Sequence, residues 1–137
     1  MNTQDKSLTV KSPGFWMVAL GGLLMAVNSV RAFNDPSAFA TYLGLPLAAP
    51  GDAALIHIYA LRALFIALLV AALLVTKQRR ALALLSACAV VMPVGDALLT
   101  SAAGAPTGTV LRHAAIAVYL LVTAFALWPR GAKGDAV

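Results

Sequence analysis

The chain is short of charge. Charged residues make up 11% of its 137 residues, and glutamate is absent. Soluble domains carry about 25% charged residues. Hydrophobic residues make up 61% of this sequence and come in four long runs. The composition therefore excludes an ordinary soluble domain and indicates an integral membrane protein, with the lipid bilayer as its surroundings.

Other absences exclude several kinds of site. The single cysteine, Cys88, rules out a disulfide framework within the chain. Two histidines far apart in sequence, without any glutamate, give no metal-ligand spacing, so no metal site is predicted. The sequence has no phosphate loop and no dinucleotide fingerprint, so no cofactor is predicted. The net charge of +5 comes from basic residues at helix ends and does not indicate nucleic-acid binding.

The apolar runs predict an all-α fold, an integral membrane four-helix bundle. A helix needs about 20 residues to span a bilayer core. We expect membrane helices at about 13–33, 53–76, 81–103 and 109–128, within one membrane domain covering 13–128. Residues 1–12 form a cytoplasmic N-terminal segment and 129–137 a cytoplasmic tail in this interpretation. Pro93 predicts a kink in the third helix, because proline cannot donate to the carbonyl one turn earlier.

The connector 34–52 carries its own helix signal. Asn34-Asp35-Pro36 is typical of a helix start. Phe39, Tyr42 and Leu43 then recur at helical spacing, and Gly44 can end the segment. We expect a short interfacial helix between helices 1 and 2. It is either a lid over a pocket or an ordinary connector, and the sequence leaves both open.

Basic residues predict the orientation. Outside the helices, with four spans, they all fall on one side: Lys6, Lys11, Lys77, Arg79, Arg80, Arg130 and Lys133. The positive-inside rule then places both termini in the cytoplasm. Trp16 and Trp128 agree, since both mark the same interface. We expect a multi-pass protein of a bacterial inner (plasma) membrane.

Most polar membrane residues fall in the opposite, outer half of the bundle. Arg62 in helix 2 and Asp96 in helix 3 are isolated charges at similar predicted depth. A charge within a membrane needs a partner, protein or water. We therefore expect an Arg62–Asp96 salt bridge at the centre of the bundle, either structural or functional.

The sequence offers two sets of site residues. The candidate catalytic residues are Asp96, Arg62, His57 and His113. The candidate ligand-binding residues are Asn28, Arg31, Tyr59, Thr100, Phe39 and Tyr42. Each has a structural alternative: His57 can hydrogen-bond the connector, Arg31 can extend to lipid phosphates, and Asn28 can join two helices. Arg112 and His113 are adjacent and point in different directions, and we favour His113 for the pocket.

Short motifs carry a family resemblance over roughly residues 14–128. They are Pro36…Phe39…Gly44-Leu45-Pro46, Arg62, and Pro93-Val94-Gly95-Asp96-Ala97. With these the chain resembles small four-helix membrane proteins of the DoxX-like kind, in particular a bacterial and fungal group described as a domain of unknown function. The resemblance implies the four-helix fold and the Arg62/Asp96 centre. In that group the arginine sits in a Gly-x-Arg-Asp context, whereas Ala63 follows Arg62 here, so the accompanying acid is missing.

Three functions fit these residues. The first is a polar pocket on the outer side that binds a hydrophobic small molecule or lipid-like metabolite. The second is a membrane-embedded acid–base enzyme, an isomerase, cyclase or epoxide-opening hydrolase, with Asp96 as base or as orienter of a histidine. The third is a structural subunit of a membrane complex. Alanine-rich faces also permit a homo-oligomer.

Overall fold

The computed structural model describes residues 8–128, and this part of the chain is helical without strands. The helices are α1 (Pro13–Asn34), α2 (Pro36–Leu43), α3 (Ala53–Val75), α4 (Arg79–Ala89), α5 (Val91–Ala102) and α6 (Thr107–Leu127). A 3₁₀ turn, Pro50–Asp52, precedes α3. The predicted all-α class and the short helix between the first two spans are confirmed. Residues 1–7 of the predicted N-terminal segment, and the predicted tail 129–137, lie outside the described residues.

Four helical segments are long and apolar enough to cross a membrane: α1, α3, α4 together with α5, and α6. Many large hydrophobic side chains on them face outward, among them Leu68, Val118 and Phe125. Such a surface requires lipid around it. The protein is therefore a multi-pass integral membrane protein in contact with the bilayer. We call the end where α1 begins and α6 finishes the terminal end, and the opposite end the α2 end.

The third span is broken at Val90, where α4 passes into α5. Pro93 explains the break, because it has no N–H to donate to the Ala89 carbonyl and its ring crowds the preceding turn. The Val94 amide still bonds the Val90 carbonyl at 3.2 Å, so α5 begins at once. The predicted kink is confirmed and takes the form of two helices.

The helices pack in a definite order. α1 lies along α3, and α6 packs on both α4 and α5 and also touches α1. α3 contacts α4, but it makes little direct contact with α5. The third span is thus near α3 at the terminal end and belongs mainly to α6 beyond the break.

An apolar core fills the terminal end, and Leu8, just before α1, contributes to it. Arg79 closes this end: its Nε donates to the Leu127 carbonyl at 2.9 Å, at the C-terminus of α6. A cation there satisfies an orphan carbonyl and complements the helix dipole. The Tyr119 hydroxyl donates to the Met17 carbonyl at 2.6 Å and ties α6 to α1.

Asp52 directly precedes α3, but its side chain makes no capping hydrogen bond to that helix. Its carboxylate accepts hydrogen bonds from the Ala48 and Ala49 amides at 3.0 and 2.9 Å. It therefore tightens the connector before the helix starts. Sequence position alone could not separate these uses, because both need an acceptor beside free amides.

Two adjacent glycines on α1 have different surroundings. Gly22 is buried, and a Cβ there would lie 2.8 Å from Val70 Cγ1 on α3. A Cβ on Gly21 would meet nothing within 4 Å. Of these two glycines, Gly22 is therefore the one that permits the close approach of α1 to α3.

We expect Gly22→Ala to lower the thermal stability of the detergent-solubilised protein, because the added methyl group forces α1 away from Val70. Gly21→Ala is the matched control, and it should raise stability by up to about 1 kcal/mol through helix propensity. Thermal unfolding followed by circular dichroism measures both. Equal effects of the two substitutions would contradict the assigned packing.

Candidate functional site

The site begins with α2, which lies over the α2 end of the bundle. The Asp35 side chain accepts from the Ala38 amide at 2.9 Å and caps the helix, and Pro36 occupies its first turn. Gly44 ends it in the left-handed conformation, with φ of 91°. The start and stop signals of the sequence thus act as expected.

Phe39 anchors α2 to the spans. Its side chain is 1% exposed and packs with Ala32 of α1 and Ala60 of α3. Its ring centroid lies 5.3 Å from that of Tyr59 and 5.9 Å from that of Tyr42. Such tilted contacts are favourable aromatic geometries. Phe39 therefore holds α2 in place and packs as a core residue.

Gly44 lets the chain after α2 approach the α5–α6 turn. A Cβ at Gly44 would lie 2.7 Å from Thr109 Cγ2 and 3.2 Å from the Ala105 Cβ. The position thus requires glycine twice, for its positive φ and for the close approach. α2 is fixed at one side by Phe39 and at the other by this contact.

Asp96 forms an ion pair with His113, at 3.8 Å from Oδ2 to Nδ1. The His113 side chain is 5% exposed, whereas the Asp96 side chain is 48% exposed. His113 Nε2 lies 3.4 Å from the Leu43 carbonyl at the end of α2. Two acceptors therefore flank the ring: the neutral imidazole can donate to one of them and the imidazolium to both. Asp96, His113 and α2 form one connected unit.

The expected salt bridge within the bundle is present, but its partner differs from the predicted one. Across residues 8–128, the ion pair of Asp96 is with His113, and Arg62 lies within 4 Å of no carboxylate. Arg62 is exposed on α3. Its helix packs on α1, whereas Asp96 sits on α5 beside α6. Matching depth therefore did not bring the two charges together, because the helices that carry them are hardly in contact.

Tyr59 of α3 packs its ring against the Phe39 cluster. Asn28 of α1 is half-buried. Thr100 is 1% exposed, and its hydroxyl donates to the Asp96 backbone carbonyl at 2.7 Å. Its methyl group lies beneath Gly44. The Thr100 hydroxyl is thus engaged within its own helix.

The remaining candidates lie elsewhere at the α2 end. His57 stacks on Phe33, with ring centroids 5.6 Å apart, rather than beside Asp96. Arg31 and Arg112 both approach the Tyr42 ring, at 4.4 and 3.9 Å from its centroid. Arg112 also donates to the Tyr42 carbonyl. These cation–π contacts hold Tyr42 between α1 and α6.

Three contacts were not predicted from the sequence. The buried Ser29 hydroxyl donates to the Ala60 carbonyl at 2.9 Å and joins α1 to α3. Arg112 fixes α2, and the Leu43 carbonyl orients His113. A serine inside an apolar run is a detectable signal for a contact between helices. The backbone carbonyl leaves no trace in the sequence.

The described residues contain no group of three or more His, Cys, Asp or Glu side chains that could hold a metal ion. Two shallow open grooves of about 170 and 250 Å³ border Arg31. Both are smaller than a typical ligand pocket of about 300–1,000 Å³. The chemistry at hand is thus a carboxylate, an imidazole and a phenol, which can exchange protons or bind polar groups.

A glycine series tests the docking of α2. We expect Gly44→Ala to destabilise the protein by more than Gly104→Ala, because Gly104 has φ of 74° but open space around it. Gly51→Ala, with neither feature, should be nearly neutral. A left-handed conformation costs about 1–2 kcal/mol in a non-glycine residue, and the clash adds to it. Thermal unfolding gives the order, and equal losses for Gly44→Ala and Gly104→Ala would contradict the close contact.

Residues 14–127 match the model of one family, described as Domain of unknown function (DUF4267). No curated protein and no solved structure matches the chain. The match covers the four spans and the connector with α2. The chain belongs to this family.

Proposed function

We propose that this member of the DUF4267 family binds a lipophilic small molecule or lipid-like metabolite at its α2 end, with the polar part of the ligand on Asp96 and His113. The observation that carries the proposal is the half-exposed Asp96 carboxylate inside a membrane bundle. Ionisable groups at such depth are expensive and are usually functional. A purely structural charge would favour complete enclosure by partners.

The surroundings of Asp96 suit a ligand with a polar end and an apolar body. The carboxylate accepts hydrogen bonds from a hydroxyl or amine, and Tyr59 of α3 supplies a second polar group in this proposal. Because α3 and α5 make little contact, the ligand enters from the bilayer between them in this proposal. Arg62, exposed one turn after Tyr59, serves a carboxylate or phosphate on the same ligand.

α2 acts as the cover of this site. It is held by Phe39 and Gly44, and its last carbonyl bonds His113. A ligand that displaces the Leu43 carbonyl from His113 would loosen α2 as well. The kinship with DoxX-like proteins, suggested by the short motifs, is part of the same proposal.

The test is ligand identification by native mass spectrometry and solvent extraction of the purified protein. We expect a specific lipophilic molecule with the wild type and about tenfold less with Asp96→Asn, which keeps the shape but removes the charge that strengthens a hydrogen bond. Ser101→Ala, an exposed position on the same helix, is the control. Equal ligand content in Asp96→Asn and the control, at equal thermal stability, would refute the proposal.

An acid–base enzyme is the second candidate, and the Asp96–His113 pair favours it. A carboxylate beside one ring nitrogen can orient a catalytic histidine. The other nitrogen of His113 would reach a substrate only after the Leu43 carbonyl moves away from it. If the identified ligand is converted by the wild type, His113→Gln should bind it and fail to turn it over. Conversion at the wild-type rate by that variant would leave binding as the function.

The proposal also assigns the sides of the membrane. By the positive-inside rule the terminal end, with Arg79 and Arg80, is cytoplasmic, and α2 faces the outer side of a bacterial inner membrane. In a Cys88→Ser background, we expect a membrane-impermeant maleimide to label Ala103→Cys in intact cells. It should label Gln78→Cys only after permeabilisation. The reverse pattern would invert the topology.

A further inference from the structure

Two grooves on the outer surface of α1 meet at Arg31. One, of about 250 Å³, is bordered by Ala26, Val27, Val30 and Arg31. The other, of about 170 Å³, is bordered by Arg31 together with Asn34, Asp35, Ala38 and Phe39. The first is apolar and runs along the membrane-spanning part of α1. The second lies at the end of the span and is also mainly apolar, but it is bordered by two charged side chains, Arg31 and Asp35. The Asp96–His113 pair belongs to neither.

The guanidinium at the junction has no acidic partner among the described residues. Arg31 is exposed, and its guanidinium carbon lies 4.4 Å from the Tyr42 ring centroid and 5.9 Å from that of Phe39. Arg112 brings a second positive charge to Tyr42. Neither arginine has a carboxylate within 4 Å in residues 8–128. Two cations that share one aromatic ring favour an anion beside them.

The vertical order of these groups matches that of a phospholipid. Arg31 lies one turn before the end of α1, at the level of the membrane interface. Ala26 begins the apolar groove roughly 8 Å deeper, at 1.5 Å rise per residue. A phosphate at Arg31 therefore puts the first part of an acyl chain against Val27 and Val30.

The groove at the end of the span is also bordered by one negative charge, Asp35. The Asp35 carboxylate uses Oδ1 to cap α2 and retains Oδ2 toward its surroundings. A cation and a carboxylate that border the same small groove are complementary to a zwitterionic headgroup with an ammonium that can donate hydrogen bonds.

From these contacts we infer a phospholipid site on α1, specific for a phosphoethanolamine headgroup: the phosphate on Arg31, the primary ammonium on Asp35 and an acyl chain in the Ala26–Val30 groove. The site is independent of ligand binding at Asp96. It gives α2 a lipid contact on the side away from α6.

Native mass spectrometry of the purified protein, titrated with defined lipids, tests this site. The probes are palmitoyl-oleoyl phosphatidylethanolamine and the phosphatidylcholine of the same chains, whose quaternary ammonium donates no hydrogen bond. We expect one phosphatidylethanolamine to be retained several-fold more strongly than phosphatidylcholine. Arg31→Gln should weaken both lipids by about tenfold, as the loss of a charge-assisted phosphate bond predicts.

Asp35→Asn tests the contact with the headgroup ammonium without disturbing α2, because asparagine is an equally good helix cap. It should reduce phosphatidylethanolamine retention to the phosphatidylcholine level and leave phosphatidylcholine retention unchanged.

Val27→Phe should fill the apolar groove and weaken the binding of both lipids, whereas Val118→Phe, on the exposed face of α6, should not. The control for charge is Arg80→Gln.

Equal losses in Arg31→Gln and Arg80→Gln would overturn the site. Equal retention of the two lipids by the wild type would overturn the assignment of the headgroup.

Discussion

A carboxylate on a membrane-spanning helix needs compensation, and at Asp96 this need connects three helices. Its partner His113 comes from α6, and the other ring nitrogen of His113 contacts the end of α2. Removing one member of such a group would leave another with an unmet hydrogen bond in an apolar medium. The arrangement at the α2 end therefore behaves as one unit, although its parts are 17 to 70 residues apart along the chain.

The two ends of the bundle differ in what holds them. At the terminal end, apolar side chains fill the core, and the partly buried Tyr119 and Arg79 donate hydrogen bonds to backbone carbonyls. At the α2 end, aromatic rings, two arginines and the ion pair replace that core. The terminal end thus supplies stability, while the α2 end contains most of the ionisable groups at membrane depth, and any chemistry of this protein is expected there.

Much of this fold follows from the sequence, because long apolar runs allow few alternatives in a bilayer. The sequence signals at Asp35, Pro36 and Gly44 predicted α2, and Pro93 predicted the break at Val90. The partner of Asp96 was mistaken because sequence gives depth along a helix but not which helices are neighbours. Arg62 matched Asp96 in depth, yet α3 follows α1 and α5 follows α6. The Leu43 carbonyl could not be foreseen at all, since any residue supplies one.

The break at Val90 has a mechanical consequence. α4 is tied into the terminal core by Leu82 and by the Arg79 bonds to α6, whereas α5 beyond the break has α6 as its main neighbour. Proline leaves the Ala89 carbonyl without its usual amide, so bending there breaks no additional backbone bond. Movement of α5 relative to α3 would pivot at Val90 and leave the terminal core unchanged. In the third span, α4 is therefore fixed in the terminal core, whereas α5, which carries Asp96, can move about a hinge at Val90.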